Sequence, residues 1–222
     1  PLWPVAPATA TSNDVVISQV YGGGGSAAPT YRNDYVELFN RGAGAVSLTG
    51  MSVQYTSAAG TGLFSANVTP VSGTLQPGQY YLVQLAGGAN GLPLPTPDAT
   101  GTTAMGASDG KVALVNSTTG LACNGSSTPC SPTQIGLIKD LVGYGAANFF
   151  EGTAAPALSA IRAAVRNTGG CTETDTNGSD FTATPPNPRN TAATTNPCNA
   201  PDTAPTVSMT VPANGATHPM DA

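Results

Sequence analysis

The chain has 222 residues, of which only 9% are charged, with 27 Gly, 20 Pro and a formal net charge of −5. Seven Lys and Arg cannot lay a basic stripe along a phosphate backbone, which argues against nucleic acid as a direct partner. No apolar run reaches the length of a membrane span, and with so few charges solubility must rest on hydroxyls and amides, a composition suited to a secreted or surface-associated β protein.

Residues 1–13 are rich in Pro, Ala and Thr and lack the charged start and apolar centre of a signal peptide. They read as an extension, either the terminus left after a signal is removed or an arbitrary boundary. The main domain is expected over residues 14–200. It opens with three apolar runs, Val15–Tyr21, Tyr35–Asn40 and Met51–Tyr55, each bounded by Gly, Asn or Pro clusters. Short β-branched and aromatic runs between such clusters read as strands. Glu37 interrupts the alternation of the second run, so it is expected to point inward with hydrogen-bond partners. Gly22 to Gly25 follow a strand but lack the Lys-Ser/Thr pair and helix of a phosphate loop. They form a surface loop that carries Tyr31 and Arg32.

Further along, Leu75-Gln76-Pro77-Gly78 feeds the run Tyr80–Gln84; Pro77 presets φ and Gly78 accepts a positive φ, as a turn before a strand requires. Residues 86–110 show little periodicity and read as a long loop, the usual place for binding on a sandwich. Lys111–Asn116 is another strand. A Cys-bearing loop, 121–134, leads into a strand over Ile135–Tyr144. Ala157–Arg166 has Leu158, Ile161 and Val165 at helical spacing and good helix formers, so one short helix is expected there.

Four cysteines allow three pairings. The short separations and polar, Pro-rich settings predict Cys123–Cys130 and Cys171–Cys198, in an oxidising compartment. A zinc site is excluded by spacing, since no Cys-x-x-Cys occurs and His218 is the single histidine. After Cys171 come Glu173, Asp175, Asn177 and Asp180, oxygen donors at short intervals around Gly178. That pattern resembles the start of a calcium loop without its closing bidentate Glu. The other reading is an Asx-turn whose side chains cap their own backbone.

Residues 201–222 read as a linker followed by one strand, Thr206–Val211, with Val207, Met209 and Val211 on its apolar face. An unpaired strand of this kind is a template for adding to a sheet edge, its own or a second copy's. It could equally open a further domain.

Several of these segments together resemble the lamin tail domain, in the form found in secreted bacterial proteins. The resemblance rests on Val15–Tyr21, Asp34–Gly42, Val46–Leu48, Gly50–Tyr55, the Pro77-Gly78 turn into Tyr80–Val83, and Asp140–Gly145. It also rests on the closing segments Cys171–Phe181 and Pro185–Asn190. Met51 stands where the family usually has Trp. The tail, with Pro-Ala-Asn-Gly-Ala at 212–216, is similar to the start of a bacterial immunoglobulin-like repeat. The resemblance implies an all-β, immunoglobulin-like sandwich. It also implies a binding or structural role, since family members are mostly such modules. Secreted bacterial versions often sit beside a nuclease or phosphatase of the endonuclease/exonuclease/phosphatase type. Such an enzyme needs histidines this chain lacks, and no Gly-x-Ser-x-Gly elbow occurs. The expected function is therefore non-enzymatic: cell-surface anchoring or extracellular assembly, with self-association or a surface component as partner and calcium as the one candidate cofactor. The alternatives are an accessory region of a larger extracellular nuclease or phosphatase, and a carbohydrate- or surface-binding module using loops 22–34 and 86–110.

Overall fold

The computed structural model describes residues 14–198. The expected N-terminal extension, 1–13, and the expected assembly strand with Val207, Met209 and Val211 lie outside the described residues. Twelve strands form within them: β1 (Val15–Tyr21), β2 (Asn33–Asn40), β3 (Val46–Ser47), β4 (Met51–Thr56), β5 (Val68–Val71), β6 (Thr74–Leu75), β7 (Tyr80–Gly87), β8 (Ala99–Thr100), β9 (Gly110–Val115), β10 (Ile138–Tyr144), β11 (Ala163–Arg166) and β12 (Phe181–Thr184). Two single-turn helices complete them, α1 (Pro132–Ile135) and α2 (Asn177–Asp180).

The strands build an immunoglobulin-like sandwich. One sheet runs β12-β11-β1-β2-β7-β8, antiparallel except for the parallel β7–β8 edge. The other runs β10-β9-β4-β5, and β3 pairs with β6 in a small separate ladder. Alternation supplies the core: Val15, Ile17, Val36, Leu38, Tyr81 and Val83 face Met51, Val53, Tyr55, Val112, Leu114 and Val142 across the sandwich.

Antiparallel sheets usually leave their outer faces in water. Here both are covered. Outside the six-stranded sheet, Val16, Phe39 and Tyr80 pack under the segment around Cys171, Ala193 and Cys198. Outside the four-stranded sheet, Ala113, Val115 and Leu141 pack under Phe64, Leu121, Cys123 and Phe149. This explains why seven-residue β1 and six-residue β4 are buried at every position. It also places Glu37. The residue is fully buried, yet it lies with Tyr35 and Phe39 on the face opposite Val36 and Leu38, outside the inter-sheet core. Its carboxylate accepts from Ser18 Oγ, from Gln19 Nε2 at 2.9 Å, and from Arg189 N and Nη2 at 2.7 and 2.8 Å. Arg189 in turn lies 3.6 Å over the Tyr80 ring.

The helix expected over Ala157–Arg166 is not there. Ser159 and Arg162 close a tight turn, and Ala163–Arg166 extends as β11 between β1 and β12. Ile161, on the supposed apolar stripe, is 58% exposed. Tertiary pairing overrides local propensity. The strand expected from Ile135 starts at Ile138 instead, because Ser131 and Gln134 form a capping box that holds Pro132–Ile135 helical.

At the Pro77-Gly78 turn Gly78 has φ +72°, and a Cβ there would sit 2.5 Å from Pro197 N. Asn196 N donates to Gly78 O at 2.8 Å. The turn therefore serves as a seat for the last described residues, and only Gly fits it.

Candidate functional site

Two features stand out, one an open cleft and one a buried cluster. The cleft lies between the two loops marked as binding candidates. Gly25 N and Gly88 N both donate to Arg32 O, and Arg32 N and Leu92 O join the loops again at 2.9 Å. The space enclosed is about 280 Å³, walled by Gly22, Gly24, Gly25 and Ser26 on one side and Gly87 and Met105 on the other. At its floor is Asp34, 2% exposed, whose two oxygens accept from Gly24 N and Met105 N, each at 2.8 Å. Burial pushes its carboxyl up to about 7 in spite of those donors. A Cβ on Gly24 would come within 2.3 Å of Asp34 N, so the wall must be glycine. Main-chain groups and one carboxyl suit a small, neutral, polar ligand.

The cluster lies where the open edges of the two sheets meet. Bulges in β1 between Ile17 and Gln19 and in β10 between Ile138 and Asp140 break the ladder register. Asp140 Oδ2 accepts from Ile17 N, and Arg166 Nε donates to Ile17 O at 2.8 Å. Arg166, at the end of β11, is wholly buried. Its Nη2 meets Asp140 Oδ2 at 2.8 Å, and its Nη1 meets Glu173 Oε2 at 2.6 Å and Asp180 Oδ2 at 3.6 Å. The guanidinium lies 4.4 Å over the Phe181 ring. Glu151 joins from the β10–β11 connection, its Oε2 accepting from Asn177 Nδ2 at 3.2 Å. Two oxygens in this interior have no partner: Asp140 Oδ1 and Glu151 Oε1. Burial, with the charges of Asp140 and Glu173 alongside, pushes Glu151 up to about 10. Burial outweighs Arg166 at Glu173 as well, raising it to about 7. At Asp140 burial also wins over Arg166, and the shift is upward.

The four residues picked out as a calcium loop have separate jobs. Asp180 accepts from Thr174 N and Oγ1 at 3.0 and 2.7 Å, reaching six residues back along the chain and not two residues on as an Asx-turn does. Asn177 uses both ends of its amide, Oδ1 accepting from Gly143 N and Nδ2 donating to Leu141 O. Asp175 has φ +53° and donates its N–H to Glu173 Oε1 at 2.9 Å. Among the described residues, the carboxylates that converge are Asp140, Glu151 and Glu173, one oxygen of each lying within 4.8 Å of the others. Sequence reading missed Asp140, Glu151 and Arg166. The available signal was a charge inside an otherwise apolar run, at Ile138–Tyr144 and at Asn148–Gly152.

Both expected disulfides are present, Cys123–Cys130 and Cys171–Cys198, with Cα–Cα distances of 5.0 and 5.4 Å. Among the described residues no cysteine is free, as suits an oxidising environment. No helix there is long and apolar enough to cross a membrane.

Sandwich, strand order and covered faces define an immunoglobulin-like all-β module. Its family follows from sequence: the model of the lamin tail domain matches residues 8–128, more than half of the chain. The chain belongs to the lamin tail domain family, a family of non-catalytic immunoglobulin-like domains. No curated protein matches it significantly. The match ends before β10, β11 and β12, which complete both sheets and carry Asp140 and Arg166.

Proposed function

We propose that this chain is a secreted, non-enzymatic module that serves cell-surface anchoring or extracellular assembly. One observation supports the reading above others: the ionisable groups a reaction centre would use are spent as internal braces. Glu37, Glu151 and Glu173, all the glutamates of the chain, sit in buried networks with Arg166, Arg189, Asn177 and backbone amides. Such groups fix a shape and present none of their chemistry to solvent. Assembly would run through the 206–211 strand adding to a sheet end such as β12 or β5, giving main-chain hydrogen bonds between copies. Light scattering on the whole chain and on one lacking 201–222 tests this. Mass above the monomer that vanishes on deletion is expected, and a monomer in both ends the assembly reading. The runner-up is the accessory region of a larger extracellular nuclease or phosphatase. The cleft over Asp34 favours a further reading, a carbohydrate contact by loops 22–34 and 86–110. Saturation-transfer NMR with neutral oligosaccharides would show it, with Gly24→Val abolishing the signal.

A further inference from the structure

We propose that Asp140, Glu151 and Glu173 hold a divalent cation, calcium by the chemistry of the donors, in the interior where the two sheet edges meet. The proposal is independent of the functional reading. It rests on the two orphaned oxygens. Asp140 and Glu151 are both fully buried, and Asp140 Oδ1 and Glu151 Oε1 have no hydrogen-bond partner. Buried polar atoms are almost always satisfied, and one left without a donor asks for a water or an ion. An ionised carboxylate oxygen only accepts, so each of these atoms needs a donor or a cation beside it. Glu173 supplies the third ligand, and the mutual spacing of up to 4.8 Å is that of oxygens on a sphere with bonds of about 2.4 Å, calcium's ordinary range.

Charge points the same way. Four carboxyl groups, Asp140, Glu151, Glu173 and Asp180, share this interior with one guanidinium, Arg166, and a buried carboxylate without a compensating partner is costly. A divalent ion supplies that compensation where otherwise a proton must. The all-oxygen donor set selects a hard cation, and three buried carboxylates suit calcium better than magnesium, which sheds water reluctantly and usually keeps several waters. Entry is from the 172–176 side: the Glu173 side chain is 6% exposed, against 0% for Asp140. Gly152, next to Glu151, has φ +58°, and a Cβ there would come within 2.9 Å of Asp175 O, so the two segments pack closely here.

The experiment uses the whole chain, stripped with EGTA and dialysed against metal-free buffer. Calcium is expected to bind at one ion per chain by mass spectrometry of the metal, and to raise the midpoint of thermal unfolding as a ligand of the folded state does. Glu151→Gln should abolish both responses, while Asp175→Ala, whose side chain lies outside the converging group, should keep them. Should Glu151→Gln fail to fold, Glu151→Asp replaces it, with at least a tenfold rise in the calcium needed for half effect expected. Three results overturn the proposal. The first is a midpoint indifferent to calcium and chelator, which would leave a proton shared between Asp140 and Glu151. The second is a calcium response that survives the Glu151 variant. The third is its loss in Asp175→Ala, which would return the ion to the 173–180 loop.

Discussion

Two isolated groups make the stability of this protein depend on pH in opposite senses. Asp34 is raised to about 7 by burial. Between about 4 and 7 the folded chain keeps a proton the unfolded chain has released, so Asp34 adds stability at low pH and loses it as pH rises. Lys111 is lowered to about 8 by burial, with Asn124 O and Asn148 Oδ1 as its partners at 2.8 and 2.9 Å. There the unfolded chain holds the extra proton between about 8 and about 10.5, and stability rises with pH across that window. Denaturant titrations over pH 4–10 should show Asp34→Asn removing its share of the falling limb and Lys111→Met its share of the rising one. Parallel wild-type and variant curves would refute the assignment. Neither group was legible in the sequence. Asp34 begins a strand run and Lys111 opens another, positions where a charge ordinarily faces water, and only the chain folding back over each strand dries them.

At the level of elements, β1, β2, β4, β7 and β9 could be read from apolar runs between turn residues, because their neighbours in sequence mark their ends. β11 could not. Leu158, Ile161 and Val165 suggested a helix face, but Ile161 is mostly exposed and Val165 pairs with Gln19 and Thr182. Ile161→Asp should therefore change stability by less than about 0.5 kcal/mol, as surface substitutions do. A helix core position would cost several times more, and urea denaturation distinguishes the two. The buried cluster was illegible for a related reason: its members lie 11 to 33 positions from one another along Asp140, Glu151 and Glu173, and only the fold brings the strand residue Asp140 together with two residues of connecting segments. The disulfides were legible from spacing and setting. Their loops span 7 and 27 residues, for which chain entropy predicts about 2.4 and about 3.6 kcal/mol. Cys171→Ser with Cys198→Ser should thus cost more than the Cys123–Cys130 pair, measured as denaturant midpoints. The reverse order would show strain or residual structure dominating.

For the molecule as a whole, the family match stops at residue 128 while the sandwich does not. β10 is the neighbour of β9, and β11 and β12 extend the larger sheet beyond β1. A fragment ending at 128 would expose the flank of β9 and the β1 edge, together with Val142, Tyr144, Ala164 and Phe181's places in the core. It should show no cooperative thermal transition, whereas residues 14–198 should unfold sharply. A folded short fragment would mean that the last three strands are ornament.

The Cys171–Cys198 link also has a mechanical meaning. Suppose tension is applied at residues 14 and 198. In the oxidised molecule the load entering at Cys198 passes straight through sulfur to Cys171, beside the end of β11, and the covering stretch that carries Arg189 stays slack on the sheet. Reduced, the same pull unzips that stretch first, from Asn196 at Gly78 back towards the Glu37–Arg189 pair. The difference is 27 residues of hidden length, roughly 90 Å at full extension, released only when the environment turns reducing.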